Sequence, residues 1–278
     1  MRSTIITLLA FLGTACAHGV GRAPIAPARD ALRAADAALA DATWRDGLPT
    51  AFAAVLADDA IFLAEGHPVV RGRAAVLALL RGDSALAALR QRATAARVDV
   101  SADGRHGYSF GVAQVVVRPM TSALRGARYA AYWRRDGAGV GAWRVVAYVR
   151  SAASGVPRDG ATLAPADPPA PAVTGPASRW EAELRDADTR FAALGREAGL
   201  GEAFTTWAAP YGAMLGAGPT LVVGRDAIRA AFRAADSAGV RARWAPVHAG
   251  AAASGDLGFT VGEATFLHPT PEGGTKRS

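Results

Sequence analysis

Apolar residues recur along this chain at two spacings, and the order of the two defines the elements. Leu32, Ala35 and Leu39 fall three to four residues apart, as do Trp180, Leu184, Ala187, Phe191 and Leu194. Each series marks one buried face of a helix. Leu48, Phe52, Val55 and Leu56 mark a second helix after the first. The run "AIFLA" is short enough to be a strand, "EGHP" reads as a turn, and "GRAAVLALL" opens a third helix. From Val98 the spacing changes to two: Val98 and Val100, then Tyr108, Phe110 and Val112, then Tyr129, Ala131 and Trp133, then Trp143, Val145, Ala147 and Val149. That period predicts strands, and the glycine-rich "RRDGAGVGAW" between the last two predicts a hairpin loop. Helices followed by an antiparallel meander predict an α+β layer fold.

A shift of 152 positions lays the opening pattern on itself. "LRAAD" at Leu32 to Asp36 falls on "LRDAD" at Leu184 to Asp188, and Gly47-Leu48 on Gly199-Leu200. Phe52 falls on Phe204, Leu63 on Leu215, Gly66 on Gly218, Gly72-Arg73 on Gly224-Arg225 and Val76 on Ile228. One ungapped offset over that many anchors predicts two homologous domains, 28–150 and 179–278. Between them, residues 151–178 contain no aromatic residue and are rich in proline, alanine and glycine, which predicts an extended tether.

The order helix, helix, "ADDAIFL", turn, "GRAAVLALL", strands, "YAAYWRRDGAGVGAWRVVAYV" resembles the SnoaL-like and DUF4440 families of the nuclear transport factor 2-like (NTF2-like) superfamily. "SGDLGFTVGEATF" in the second copy is similar to the family's third-strand hairpin. The resemblance implies a cystatin-like cone, a curved antiparallel sheet wrapped around helices with a pocket inside, often paired as a homodimer. In a tandem chain the two copies could pair instead. It implies no single reaction, because the scaffold hosts isomerases, cyclases, dehydratases and proteins of other roles. The second copy departs from the pattern: Ser278 corresponds to Gly126, so nothing answers to "YAAYW" or "WRVVAYV". Truncation, or strands supplied by another chain, would account for that.

The N-terminus changes the picture of where the protein works. Arg2 precedes "IITLLAFLG", too short to span a bilayer and the right length for an export signal over residues 1–17. Ala15-Cys16-Ala17 is an A-x-A cleavage site, while "LGTAC" resembles a lipobox in which Cys16 would carry lipid. Both readings stay open: a periplasmic or envelope protein anchored by lipid at Cys16, or a secreted one. Cys16 is the only cysteine, which excludes an internal disulfide and a cysteine nucleophile. The net charge of +7 and the pI near 10.4 are carried by scattered arginines, with Lys276 the sole lysine. No basic stripe forms, and no nucleic-acid partner is expected.

Residues kept in both copies are expected to serve the fold. Asp36 with Arg73, and Asp188 with Arg225, are therefore expected to form a structural ion pair or hydrogen-bond contact in each copy, with a catalytic Asp36 as the alternative. Asp58, Asp59, Glu65 and His67 stand opposite Pro210, Tyr211, Ala217 and Pro219, so acid–base work with them is open to the first copy alone. An acid and a histidine at a pocket mouth are proton-transfer partners; the plainer reading is solvated acids at a strand start and a surface turn. Trp44, Tyr108 and Trp133 are candidates to line an apolar ligand cavity, against plain core packing. Histidines 18, 67, 106, 248 and 268 lack metal-ligand spacing, and no phosphate loop or nucleophile elbow is present, so no metal or cofactor is implied.

Three functions fit these residues. The first is an exported tandem module holding a small, largely apolar molecule in its first copy. The second is an enzyme of the ketosteroid isomerase or polyketide cyclase type using Asp58, Asp59 or His67. The third is a non-catalytic envelope adaptor.

Overall fold

A computed structural model of the chain describes residues 25–118, 123–135, 142–156, 162–166, 175–216, 218, 220–270 and 275–277. Cys16 and residues 1–17, where an export signal is expected, lie outside the described residues. Two compact units form: one within Gly21–Pro168 together with Leu215–Thr220, the other within Pro169–Met214 and Leu221–Ser278.

The first unit opens with α1 (Ile25–Asp46) and α2 (Leu48–Val55), then β1 (Leu56–Ala64), β2 (Val70–Arg71), α3 (Arg73–Gly82) and the short α4 (Ser84–Ala88). Four long strands follow: β3 (Leu89–Val100), β4 (His106–Val117), β5 (Arg125–Arg135) and β6 (Trp143–Ala153). They build one curved sheet in the order β2-β1-β6-β5-β4-β3, antiparallel except where β1 runs parallel to β6. The helices pack on one face of that sheet, as the α+β reading requires. Leu32 and Leu39 of α1 meet Val98, Val115, Tyr129 and Trp133 in the main core. Phe52, Phe62 and Tyr148 close one end of it, with ring centroids 4.8–5.4 Å apart. Each fully buried ring of this kind contributes about 1.5–3 kcal/mol.

Two polar residues interrupt the apolar alternation of β1. Asp58 and Asp59 are consecutive and both exposed, at an irregularity in the pairing with β6 between Leu56 and Ile61. A bulge of this kind turns two successive side chains outward, which is why acids are tolerated in an otherwise buried strand.

The second unit contains α5 (Ala177–Glu197), α6 (Leu200–Trp207), β7 (Ala213–Met214), β8 (Val222–Val223), α7 (Arg225–Ser237), β9 (Arg241–Ala251), β10 (Gly258–Pro269) and β11 (Thr275–Arg277). Here α5 lies on a three-stranded antiparallel sheet in the order β11-β10-β9. Phe191 anchors the helix between Phe204, at 4.9 Å, and Trp244, at 4.8 Å.

Local geometry recurs between the units at the same displacement of 152 positions that the sequence shows. Ile61 pairs with Arg71 and Ala213 with Val223; Val115 pairs with Arg125 and Leu267 with Arg277. Gly72 N–H donates to Ala60 O and Gly224 N–H to Gly212 O, both at 2.8 Å. Gly72 and Gly224 stand at φ 84° and 90°, immediately before α3 and α7. A side chain at such a φ is strained, so glycine is retained at this turn.

The expected tether is described in part. β6 continues to Ala153 and α5 begins at Ala177, and residues 162–166 run beside the first unit's sheet rather than free of it. The remaining tether residues, 157–161 and 167–174, lie outside the described residues.

Gly72→Ala is expected to lower stability by about 1–3 kcal/mol, the cost of holding a side chain in this backbone region. Chemical denaturation of the variant checks it, and an unchanged midpoint would mean that the turn adapts.

Candidate functional site

The polar centre of the first unit lies beneath α1. Asp36, on the buried face of that helix, is 5% exposed. Ser109 of β4 donates from Oγ to Asp36 Oδ1 at 2.6 Å, and Tyr129 of β5 donates from its hydroxyl to Oδ2 at 2.7 Å. Trp133 Nε1 in turn donates to Ser109 Oγ at 2.9 Å. Farther along the same face, Gln91 Nε2 donates to the Tyr148 hydroxyl at 2.6 Å, and Thr43 of α1 donates to the Gln91 carbonyl at 2.7 Å. These contacts place one carboxylate, four hydroxyls, an indole and an amide in an otherwise apolar core.

Burial decides the protonation of this centre. Desolvation pushes the Asp36 carboxyl above its ordinary range, against the opposing pull of the Ser109 and Tyr129 hydrogen bonds. Burial, helped by the neighbouring Asp36, holds the Tyr129 hydroxyl well above its usual value, and burial pushes Tyr148 up to about 12.

The ion pair expected of Asp36 and Arg73 is not formed. Arg73 instead donates from Nη2 to the carbonyl of Ala53 at 2.6 Å, and Arg144 donates to the carbonyl of Ala54. Both arginines therefore satisfy carbonyls at the C-terminus of α2, where helical partners run out and the helix dipole favours a cation. In the second unit Arg225 does the same for α6, donating to Ala208 O at 2.8 and 3.0 Å. Asp188 accepts from Trp244 Nε1 at 2.8 Å. The repeated aspartates thus tie the first helix of each unit to its sheet, and the repeated arginines cap the second helix.

The nominated acid–base residues are dispersed over the surface. The Asp58 side chain is 99% exposed and 4.0 Å from Arg73. Asp59 sits in a two-pronged pair with Arg134, both contacts at 2.9 Å. His67 Nε2 lies 3.5 Å from Asp83, whose other oxygen caps α4 through the Leu86 N–H. Glu65 accepts from the Ala152 N–H at the end of β6. Asp58, Arg73, Arg134 and Arg144, with Leu56 and Ala57, line a shallow groove of about 290 Å³. His67 is not part of that lining; its acidic neighbour is Asp83.

The three aromatic candidates do not share a cavity. Trp133 is fully buried in the core over Ser109. Tyr108 pairs across the sheet with Tyr132, the neighbour of Trp133, and so faces the opposite side. Its hydroxyl donates to Asp99 at 3.2 Å and its ring stacks on Phe110. Trp44 is half-buried, with the guanidiniums of Arg92 and Arg118 over its ring at 4.6 and 5.5 Å. Sequence reasoning missed Gln91 and Ser109: each is a lone polar residue at a core-facing position of a strand, and that exception to alternation was the available signal.

Solved structures of similar fold are NTF2-like and cystatin-like. An NTF2-like protein with a cystatin-like fold from Novosphingobium aromaticivorans is 21% identical, over 46% of this chain and 83% of that one, with a TM-score of 0.38. A ketosteroid isomerase-like protein from Erwinia carotovora is 16% identical, over 45% and 96%, also at 0.38. A domain of unknown function with a cystatin-like fold from Nostoc punctiforme is 17% identical, over 45% and 77%, at 0.37. No family model and no curated protein matches the sequence.

The Asp36 centre makes stability depend on pH. With its acidity weakened by folding, Asp36 binds a proton more tightly in the folded chain than in the unfolded one. Its contribution is full below the ordinary value of 3.8 and is lost as pH rises from there through the raised folded value. The stability of the wild type relative to Asp36→Asn, which does not titrate, should therefore fall as pH rises above 3.8. Denaturation curves across pH check this; a difference that is flat with pH would contradict it.

Proposed function

We propose that the chain is an exported tandem NTF2-like protein that works by binding a partner at its surface, as a non-catalytic adaptor of the cell envelope. One observation carries this reading: Asp58 is fully exposed and Asp59 and His67 are tied to Arg134 and Asp83, while the interior carboxylate spends both oxygens on holding α1 to the sheet. General acid–base chemistry needs a titrating group within reach of a reacting atom. The geometry favours surface recognition instead, and the groove lined by Asp58, Arg73, Arg134 and Arg144 offers charged groups for it. The export signal at residues 1–17 supports an envelope location, with lipid at Cys16 as the means of retention there. No helix among the described residues is long and apolar enough to cross a membrane.

Gln91 favours a second reading. Its Oε1 is buried without a hydrogen-bond partner among the described residues, beside the Tyr148 hydroxyl. An unpartnered buried acceptor is costly, and a small, largely apolar molecule carrying one donor would satisfy it.

Native mass spectrometry of the mature protein purified from its own host separates the two. The adaptor reading predicts a co-purifying polypeptide and no bound small molecule. A stoichiometric small molecule released on denaturation would overturn it in favour of the Gln91 reading.

A further inference from the structure

β3 is the outermost strand of the first unit's sheet, so one side of it has no neighbouring strand. An edge of this kind presents backbone groups that invite pairing with other chains unless something covers them. Here the chain's own segment Leu163–Ala166 runs along it. Leu163 N–H donates to Ala96 O at 2.7 Å, Arg97 Nε donates to Ala164 O at 2.9 Å, and Ala166 N–H donates to Asp99 Oδ2 at 2.7 Å.

The strand is shaped for this contact. The register with β4 passes from Ala95, opposite Gly111, to Arg97, opposite Phe110, and skips Ala96. Such a bulge takes one residue out of the ladder and leaves its backbone groups for another partner. Gly111 permits the bulge by close approach: a Cβ there would collide with the Thr94 carbonyl and stand 2.7 Å from Ala96 N. Asp99 is buried and fixed in place, with Arg29 Nε at 2.9 Å from Oδ1 and the Tyr108 hydroxyl at 3.2 Å from Oδ2. In the docked segment Pro165 separates the two donating amides; it has no N–H of its own and favours extended backbone.

We propose that the outer edge of β3, from Ala96 to Asp99, is a docking site for extended proline-containing peptides, and that Leu163–Ala166 is its resident occupant. The site recognises two main-chain donors either side of a proline, through the Ala96 carbonyl and the Asp99 carboxylate, and the carbonyl preceding the proline, through the Arg97 guanidinium. A tethered occupant holds a millimolar effective concentration, so it excludes competing peptides of ordinary affinity. The inference rests on the β3 edge alone and goes beyond the adaptor reading.

The test uses a fluorescein-labelled peptide of sequence ATLAPAD and the full chain with residues 162–166 replaced by glycine and serine. Fluorescence anisotropy should show saturable binding to that variant and at least tenfold weaker binding to the wild type. A peptide N-methylated at the leucine, and so lacking the N–H that meets Ala96, should bind the variant at least tenfold more weakly. A variant with wild-type circular dichroism that ignores the peptide, or binds both peptides alike, overturns the proposal. Should the replacement prevent folding, hydrogen exchange in the wild type decides: the Leu163 and Ala166 amides should exchange at least tenfold more slowly than in the free peptide. Exchange at the free-peptide rate overturns the proposal.

Discussion

The buried carboxylate of Asp36 is the constraint on which the first unit depends. It arrives on α1 and meets hydroxyls from two different strands. An acid placed there without those partners would bear an uncompensated desolvation cost of several kcal/mol. With them it fixes the height and rotation of α1 over β4 and β5 at once. Trp133 then completes the arrangement by donating to the hydroxyl that Asp36 also uses. The second unit applies the same principle more simply, with Asp188 taking the indole N–H of Trp244 directly. A polar centre so fully occupied makes a sound anchor: both carboxylate oxygens of Asp36 are taken by hydroxyls of the sheet.

A second constraint acts where helices end. α2 and α6 each stop after eight residues, leaving carbonyls without helical partners. The Gly-Arg pair that starts the next helix resolves this from outside: glycine makes the turn, and arginine reaches back to the exposed carbonyl. The groove beside β1 is a consequence, because Arg73 and Arg144 both come to the α2 terminus and Arg134 comes to Asp59. Its charge is thus built by the fold before any partner is considered.

Much of this architecture was legible in the sequence. Periodicity gave the helices and the meander, and self-alignment picked out Asp36, Asp188, Arg73, Arg225 and the glycines as residues with fold duties. What failed was the pairing. Opposite charge suggested that Asp36 meets Arg73, yet its partners lie 73 and 93 residues away and are neutral hydroxyls set in apolar strands. Alternation likewise gave the two faces of each strand but not which face of β4 matches which face of β5, so Tyr108 and Trp133 were assigned to one cavity although they lie on opposite sides. The composition of the linker argued against a core of its own. It carried no information about hydrogen bonds that Leu163–Ala166 would borrow from a bulged edge elsewhere.

The central claim is that Asp36 acts as a structural anchor through Tyr129. A double-mutant cycle on Asp36→Ala and Tyr129→Phe, followed by chemical denaturation at neutral pH, measures that link without reference to any ligand. The account predicts a coupling of at least about 0.5 kcal/mol between the two sites. Additive effects, with no coupling beyond about 0.3 kcal/mol, would contradict it.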